Sequence, residues 1–149
     1  MTLAELSKLY YLNKLIERDT RELAKLENSL QLGSANMNGM PRNPSPKNLI
    51  EEVAPLIVDI KERIQREKEE FLKERMAIEG FIRSVEDYQI RLILSYRFID
   101  LLTWNQVAAM IGGNNTEDSV KKMCYRFLKQ SEKRKAVPNV PYTCGNVVP

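Results

Sequence analysis

The chain has 149 residues, 29% charged and 43% hydrophobic, which is too apolar for wholesale disorder and suits one core with an extended arm. It has no histidine and no glycine-rich phosphate loop, so imidazole-based nucleophilic catalysis and His-metal chemistry are excluded. The net charge of +3 is unevenly spread: residues 1–83 balance, whereas residues 119–135 hold Lys121, Lys122, Arg126, Lys129, Lys133, Arg134 and Lys135 against Glu132 alone.

The carboxylates alternate with Lys and Arg at helical spacing, the pattern of solvated helix faces rather than of an acid/base pair. We therefore expect no enzyme, no cofactor and no metal site. No run approaches the ~20 apolar residues that cross a bilayer, and no basic segment followed by an apolar run opens the chain, so a cytoplasmic protein without membrane contact is expected. Cys124 and Cys144 are too few and too far apart for a disulfide framework and are read as free thiols.

In chain order, Thr2 and Glu5 have capping-box spacing and predict a helix start. Leu9, Leu12, Ile16, Leu23, Leu26 and Leu30 follow in steps of three and four, a narrow coiled-coil seam in which Asp19 stands where an apolar residue belongs. Residues 33–47 contain two Gly and three Pro and are expected to be a flexible loop. A second long helix is predicted from Asn48, with Glu51 as its box partner, to about Arg83, and Pro55 should kink it or set its true start. Its seam is Ile57, Ile60, Ile64, Phe71, Ile78 and Phe81. At 1.5 Å per residue the two helices span roughly 45 and 50 Å, lengths suited to an antiparallel hairpin, although the same seams would serve equally between two chains of a homodimer.

Ser84 and Asp87 predict another start, followed by the apolar-rich stretch from Val85 to Phe98. Ile99 to Leu102 break that pattern, and Thr103 with Gln106 makes the clearest capping box, flanked by Leu102 and Val107. The helix opening at Trp104 turns Val107, Ala108 and Ile111 inward and should end at Gly112 and Gly113, with Trp104 closing the core. Asn114, Asn115 and Thr116 supply caps, and Glu117 and Asp118 suit a helix N-terminus electrostatically. A last helix over 116–133 would bury Val120, Met123, Cys124, Phe127 and Leu128 and leave Ser119, Lys121, Lys122, Tyr125, Arg126 and Lys129 toward solvent.

Two helices joined by a glycine turn, the second one basic, are the pattern of a helix-turn-helix whose second helix enters the major groove. Residues 84–130, and above all TWNQVAAMIGGNNTEDSVKKMCYRFL, resemble the region-four-like helix-turn-helix of sigma factors as found in small phage and prophage proteins; the turn GGNNTED is longer than the usual sigma turn. With the leading helix, polar loop and second long helix, the likeness covers about residues 3–130 and resembles a phage protein family related to ArpU and RinA type late-gene transcription regulators.

The resemblance implies an all-α chain with a coiled-coil arm over 1–83 and a helix-turn-helix over 84–135, whereas the tail over 136–149 lies outside it and is expected to be disordered because it holds Pro138, Pro141 and Pro149 and has no periodicity. The resemblance also implies a sequence-specific regulator of phage or prophage genes in the bacterial cytoplasm, with Thr116, Ser119, Lys121, Lys122, Tyr125, Arg126 and Lys129 nearest double-stranded DNA. Host RNA polymerase and a second copy of the chain, joined through the arm, are the expected protein partners. Two other readings stay open at this point: a packaging component resembling a small terminase subunit, and a module that binds RNA polymerase without binding DNA.

Overall fold

A computed structural model describes the backbone of residues 1–35 and 46–136, and the side chains of residues 1–31 and 49–135. The described residues are all-helical, with no strand: α1 (Leu3–Ala35), α2 (Pro46–Arg83), α3 (Tyr88–Leu94) continuing into a π-helical stretch (Ser95–Ile99), α4 (Trp104–Ile111) and α5 (Glu117–Ala136).

Helix α1 starts at the Thr2 capping box, in which the Thr2 N–H donates to Glu5 Oε2 at 2.6 Å and the Glu5 N–H donates to Thr2 Oγ1 at 3.2 Å. It continues through Gly33 to Ala35, so the loop expected over 33–47 begins later than the composition implied. Helix α2 likewise begins earlier, at Pro46 rather than Asn48, because proline suits a first helical position where its missing N–H has no partner to lose. The rest of that expected loop, 36–45, lies outside the described residues. Pro55 sits within α2 and does not set its start.

The two long helices run in opposite directions, as their ion pairs show: Lys8 reaches Glu70 and Glu74, Asp19 meets Arg63, and Lys61 meets Glu27. Between them Leu9, Leu12, Val53, Ile60, Ile64 and Ile78 are buried. Asp19 occupies the seam fully buried because two arginines accompany it. Arg18 Nε donates to its Oδ1 at 2.9 Å and Arg63 Nε to its Oδ2 at 2.5 Å. Burial opposes ionisation of Asp19, yet the hydrogen bonds and charges of Arg18 and Arg63 outweigh it and hold the carboxyl below its usual range.

The base of this helix pair shares one core with the short helices. Leu6, Leu9, Ile78 and Ile82 join Val85, Ile90, Ile93, Leu94, Phe98, Trp104, Val107, Ala108, Val120, Cys124 and Leu128 in one buried cluster. Burial of that size stabilises through the hydrophobic effect, at about 25 cal/mol for each Å² of apolar surface removed from water. Arg91 secures the joint between α2 and α3 by donating from Nε to the Val85 carbonyl at 3.0 Å and from Nη2 to the carbonyls of Val85 and Arg83.

Helix α3 begins later than Ser84 suggests. Asp87 is its N-cap, accepting from the Gln89 and Ile90 N–H groups, while Ser84 donates from its hydroxyl to the Phe81 carbonyl and belongs to the end of α2. The following stretch widens to π geometry, with the Asp100 N–H donating to the Ser95 carbonyl and the Leu102 N–H to the Tyr96 carbonyl. It delivers Leu101 in a left-handed conformation, φ +57°. A non-glycine residue held there costs on the order of 1–3 kcal/mol and persists only where the surroundings enforce it.

Candidate nucleic-acid interface

Helix α4 is fixed at its start by the Thr103 capping box: the Thr103 N–H donates to Gln106 Oε1 at 2.9 Å, and the Gln106 N–H to Thr103 Oγ1 at 3.3 Å. It ends where Gly112, at φ +74°, donates its N–H to the Ala108 carbonyl. Gly113 follows at φ +67°, a second left-handed residue that only glycine adopts without strain. Asn115 closes the turn by donating from its side-chain amide to the Gly112 carbonyl at 2.9 Å. Five residues thus separate α4 from α5, and Val107 and Ala108 on one helix and Val120 and Cys124 on the other are buried in the same cluster.

Thr116 and Ser119 cap α5 reciprocally. The Thr116 N–H donates to Ser119 Oγ at 3.0 Å, the Ser119 N–H to Thr116 Oγ1 at 3.2 Å, and the Ser119 hydroxyl to the Thr116 carbonyl at 2.9 Å. Both hydroxyls, expected near DNA, are therefore engaged in the helix start. Glu117 and Asp118 occupy the first turn, where their charge suits the positive end of the helix dipole.

Beyond the cap, Val120, Cys124 and Leu128 are buried and Met123 and Phe127 are partly buried, which leaves Lys122, Tyr125, Arg126, Lys129 and Lys133 exposed, with Lys121 half-buried at the edge of that stripe. Among the described residues none of Lys121, Lys122, Arg126 and Lys129 forms an ion pair; the pairs that do form lie between residues 8 and 83. A row of unpaired cations on one helix face is chemically equipped to neutralise a row of phosphates.

Tyr125 is more than an exposed ring. It meets Trp104 edge to face, centroids 5.8 Å apart at 74°, and Trp104 meets Phe98 in the same way at 6.4 Å and 89°. Trp104 is buried, as its position at the first turn of α4 predicted. Arg97 covers its ring at 4.9 Å and donates from Nη1 to the Leu102 carbonyl at 2.7 Å. Arg97 escaped the sequence reading, since nothing in the spacing shows that a π-helical stretch aims it at Trp104.

Cys124 is a free, buried thiol. Burial pushes its pKa up to about 12, with the positive charge of Arg97 opposing the rise, so it is neither a nucleophile nor a metal ligand in this state. Cys144 lies outside the described residues, as do positions 137–149 of the expected tail. Among the described residues no cluster of His, Cys, Asp and Glu has the arrangement of a metal site, and no helix is long and apolar enough to cross a membrane. No family model, no curated protein and no solved structure matches the chain.

Proposed function

We propose that the protein is a sequence-specific DNA-binding transcription regulator of the phage or prophage type, with α4 and α5 as a helix-turn-helix and α5 as the helix that enters the major groove. The observation that carries this reading is the unpaired basic stripe Lys122, Arg126 and Lys129, with Tyr125 among them, on a helix that a two-glycine turn sets against α4. Lys121, Lys122, Arg126 and Lys129 bind phosphates, and Tyr125, steadied by Trp104, is presented to base edges. Thr116 and Ser119 act by fixing the start of α5, since their hydroxyls and backbone N–H groups are spent on the cap.

In this reading α1 and α2 form a hairpin arm that holds the reading head away from its distal end, and at 33 and 38 residues they extend about 50 and 57 Å. Leu9, Leu12, Ile60, Ile64 and Ile78 of the seam are buried within the chain, so a homodimer formed through the arm uses its outer surface, where Tyr11, Leu72 and Met76 are exposed. Host RNA polymerase is the partner that a sigma-like regulator would touch, and the cytoplasm of the bacterial host is where both would meet.

The test is selection of bound sequences from a random DNA pool with the wild-type protein and the Lys122→Ala/Arg126→Ala variant, each at two salt concentrations. Four phosphate contacts give a slope of log affinity against log salt near −3.6, from about 0.9 per contact. An enriched motif lost in the variant supports the reading. Weak binding without enrichment and without salt dependence sinks it, and shifts the assignment to a protein-binding module.

A further inference from the structure

Arg91 and Arg97 both meet backbone carbonyls and an aromatic ring rather than a carboxylate, but Arg91 spends Nε and Nη2 on those carbonyls, whereas Arg97 spends Nη1 alone. Arg97 is half-buried, one edge donates to the Leu102 carbonyl, one face lies on Trp104, and no carboxylate pairs with it among the described residues. Its remaining N–H groups are not sealed in the core, because the Glu67 Oε2 atom is the buried, unpartnered side-chain atom found among the described residues. A guanidinium in this state keeps part of its planar fork for an oxyanion.

The space beside it is a cleft of about 200 Å³, lined by Ser7, Tyr10 and Tyr11 of α1 and by Arg97, Phe98 and Leu101 across from them. Its chemistry is divided. Ser7, the tyrosine hydroxyls and Arg97 supply donors, whereas the two tyrosine rings, Phe98 and Leu101 supply apolar walls. Leu101 is also the residue held at φ +57°, and Arg97 helps to hold it by binding the next carbonyl. Strain kept in place beside a cleft is a frequent mark of a functional site.

We propose that this cleft binds a small organic carboxylate with a planar apolar body, its carboxylate on Arg97 and its body between Tyr10, Tyr11 and Phe98. A bare inorganic anion would satisfy Arg97 but leave the apolar walls wet, so it binds more weakly. A carboxylate on the free edge of Arg97 neutralises the charge that the guanidinium face presents to the Trp104 ring, and Trp104 supports Tyr125 on the basic stripe. Occupancy therefore loosens Tyr125 and lowers DNA affinity severalfold; this second half rests on the DNA-binding reading.

Trp104 is the single tryptophan of the chain and lies against Arg97, so its fluorescence reports directly on the cleft. The experiment titrates the full chain with sodium benzoate and, separately, with inorganic phosphate at constant ionic strength. It uses wild type, Arg97→Lys, which keeps the charge but loses the fork, and Ser7→Leu, which fills the cleft without touching the Arg97–Trp104 stack. The expected result is a saturable change with benzoate, at least about tenfold weaker in both variants, and a weaker response to phosphate.

No saturable change with benzoate, or equal affinity in wild type and Ser7→Leu, overturns the site. Phosphate binding as tightly as benzoate overturns the carboxylate with an apolar body. DNA affinity is then measured with and without saturating benzoate. Unchanged DNA affinity overturns the coupling, whereas a protein that binds no DNA in either condition refutes the DNA-binding reading and leaves the fluorescence result standing.

Discussion

The long helices and the last helix are all rich in charge and use it in opposite ways. Along α1 and α2, Lys8, Arg18, Lys61, Arg63 and Arg75 each find a carboxylate, on the neighbouring helix or within the same one. Along α5, Lys121, Lys122, Arg126 and Lys129 find none among the described residues, although Glu117, Asp118 and Glu132 lie on the same helix. Exposed pairs contribute only about 0–1 kcal/mol each, so their abundance on the arm speaks of neutralisation and register more than of strength. Unpaired cations carry a small repulsive cost, and that cost is offset only when another molecule brings the anions.

The two regions also differ in what holds them together. The C-terminal helices enclose Ile93, Leu94, Val107, Val120 and Cys124 completely, whereas the distal seam residues Ile16, Leu23, Leu26 and Leu30 stay partly exposed. Trp104→Ala should therefore show the largest effect, a loss of about 3–5 kcal/mol in denaturant unfolding. Leu26→Ala should cost well under that. Equal losses at the two positions would break the contrast between a dense core and a half-wet seam.

Next in size is the functional contrast. Lys122→Ala/Arg126→Ala should reduce the salt slope of DNA binding by about 1.8 while leaving stability within about 0.5 kcal/mol. Lys8→Ala/Lys61→Ala removes as many positive charges from the arm and should leave the slope unchanged. Anisotropy titrations over a salt series separate the two; a slope that falls only in the arm variant would place the DNA on the arm, and one that falls equally in both would erase the contrast between the two regions.

Much of this arrangement was legible because caps are local. Thr2 with Glu5, Thr103 with Gln106, and the pair Gly112 and Gly113 announce their helix ends within a few residues, and the structure uses each of them. What stayed hidden depends on contacts distant in sequence. Asp19 looks like a flaw in the seam until Arg63, 44 positions away, is brought opposite it by the register of two antiparallel helices. Leu6 and Ile82 lie outside the expected seams, near the ends of the long helices, yet both belong to the core shared with the short ones. Of the expected start signal Ser84 and Asp87, Asp87 alone is the cap, since Ser84 is drawn back to the Phe81 carbonyl. Arg97 needed the π-helical stretch, which has no sequence signature comparable to a cap.

A smaller effect tests whether Asp19 strengthens the arm or only sets its register. Replacing buried ion pairs by apolar residues is often neutral or stabilising, and here Arg18 and Arg63 keep contact with solvent when their partner is removed. Asp19→Leu should raise the unfolding free energy by on the order of 1 kcal/mol at neutral pH. It should also permit alternative registers or oligomers, visible in analytical ultracentrifugation as more heterogeneity than the wild type shows. A large loss of stability instead would show that the pair holds the arm together.

The smallest expected effect concerns Glu67, which has one carboxylate oxygen buried without a hydrogen-bond partner. Burial pushes its pKa up and the negative charge of Asp19 pushes it further, against the pull of Arg63, Arg18 and Arg66. The two acids of this polar layer therefore respond to acid with opposite signs. Asp19 titrates below its unfolded value, so its contribution is complete above about pH 4 and is lost as pH falls through its lower folded value. Glu67 titrates above its unfolded value, so its ionisation costs stability at neutral pH, and that cost disappears as pH falls below its raised folded value. Acidification should thus raise the melting temperature slightly before the loss of the Asp19 pairs lowers it. Glu67→Gln removes the charge, so the variant should melt higher than wild type at pH 7 and lose the slight rise while keeping the fall below about pH 4. If wild type and variant share the same profile through the weakly acidic range, the orphaned oxygen of Glu67 is reached by water in solution and the polar layer is as well solvated as the rest of the arm.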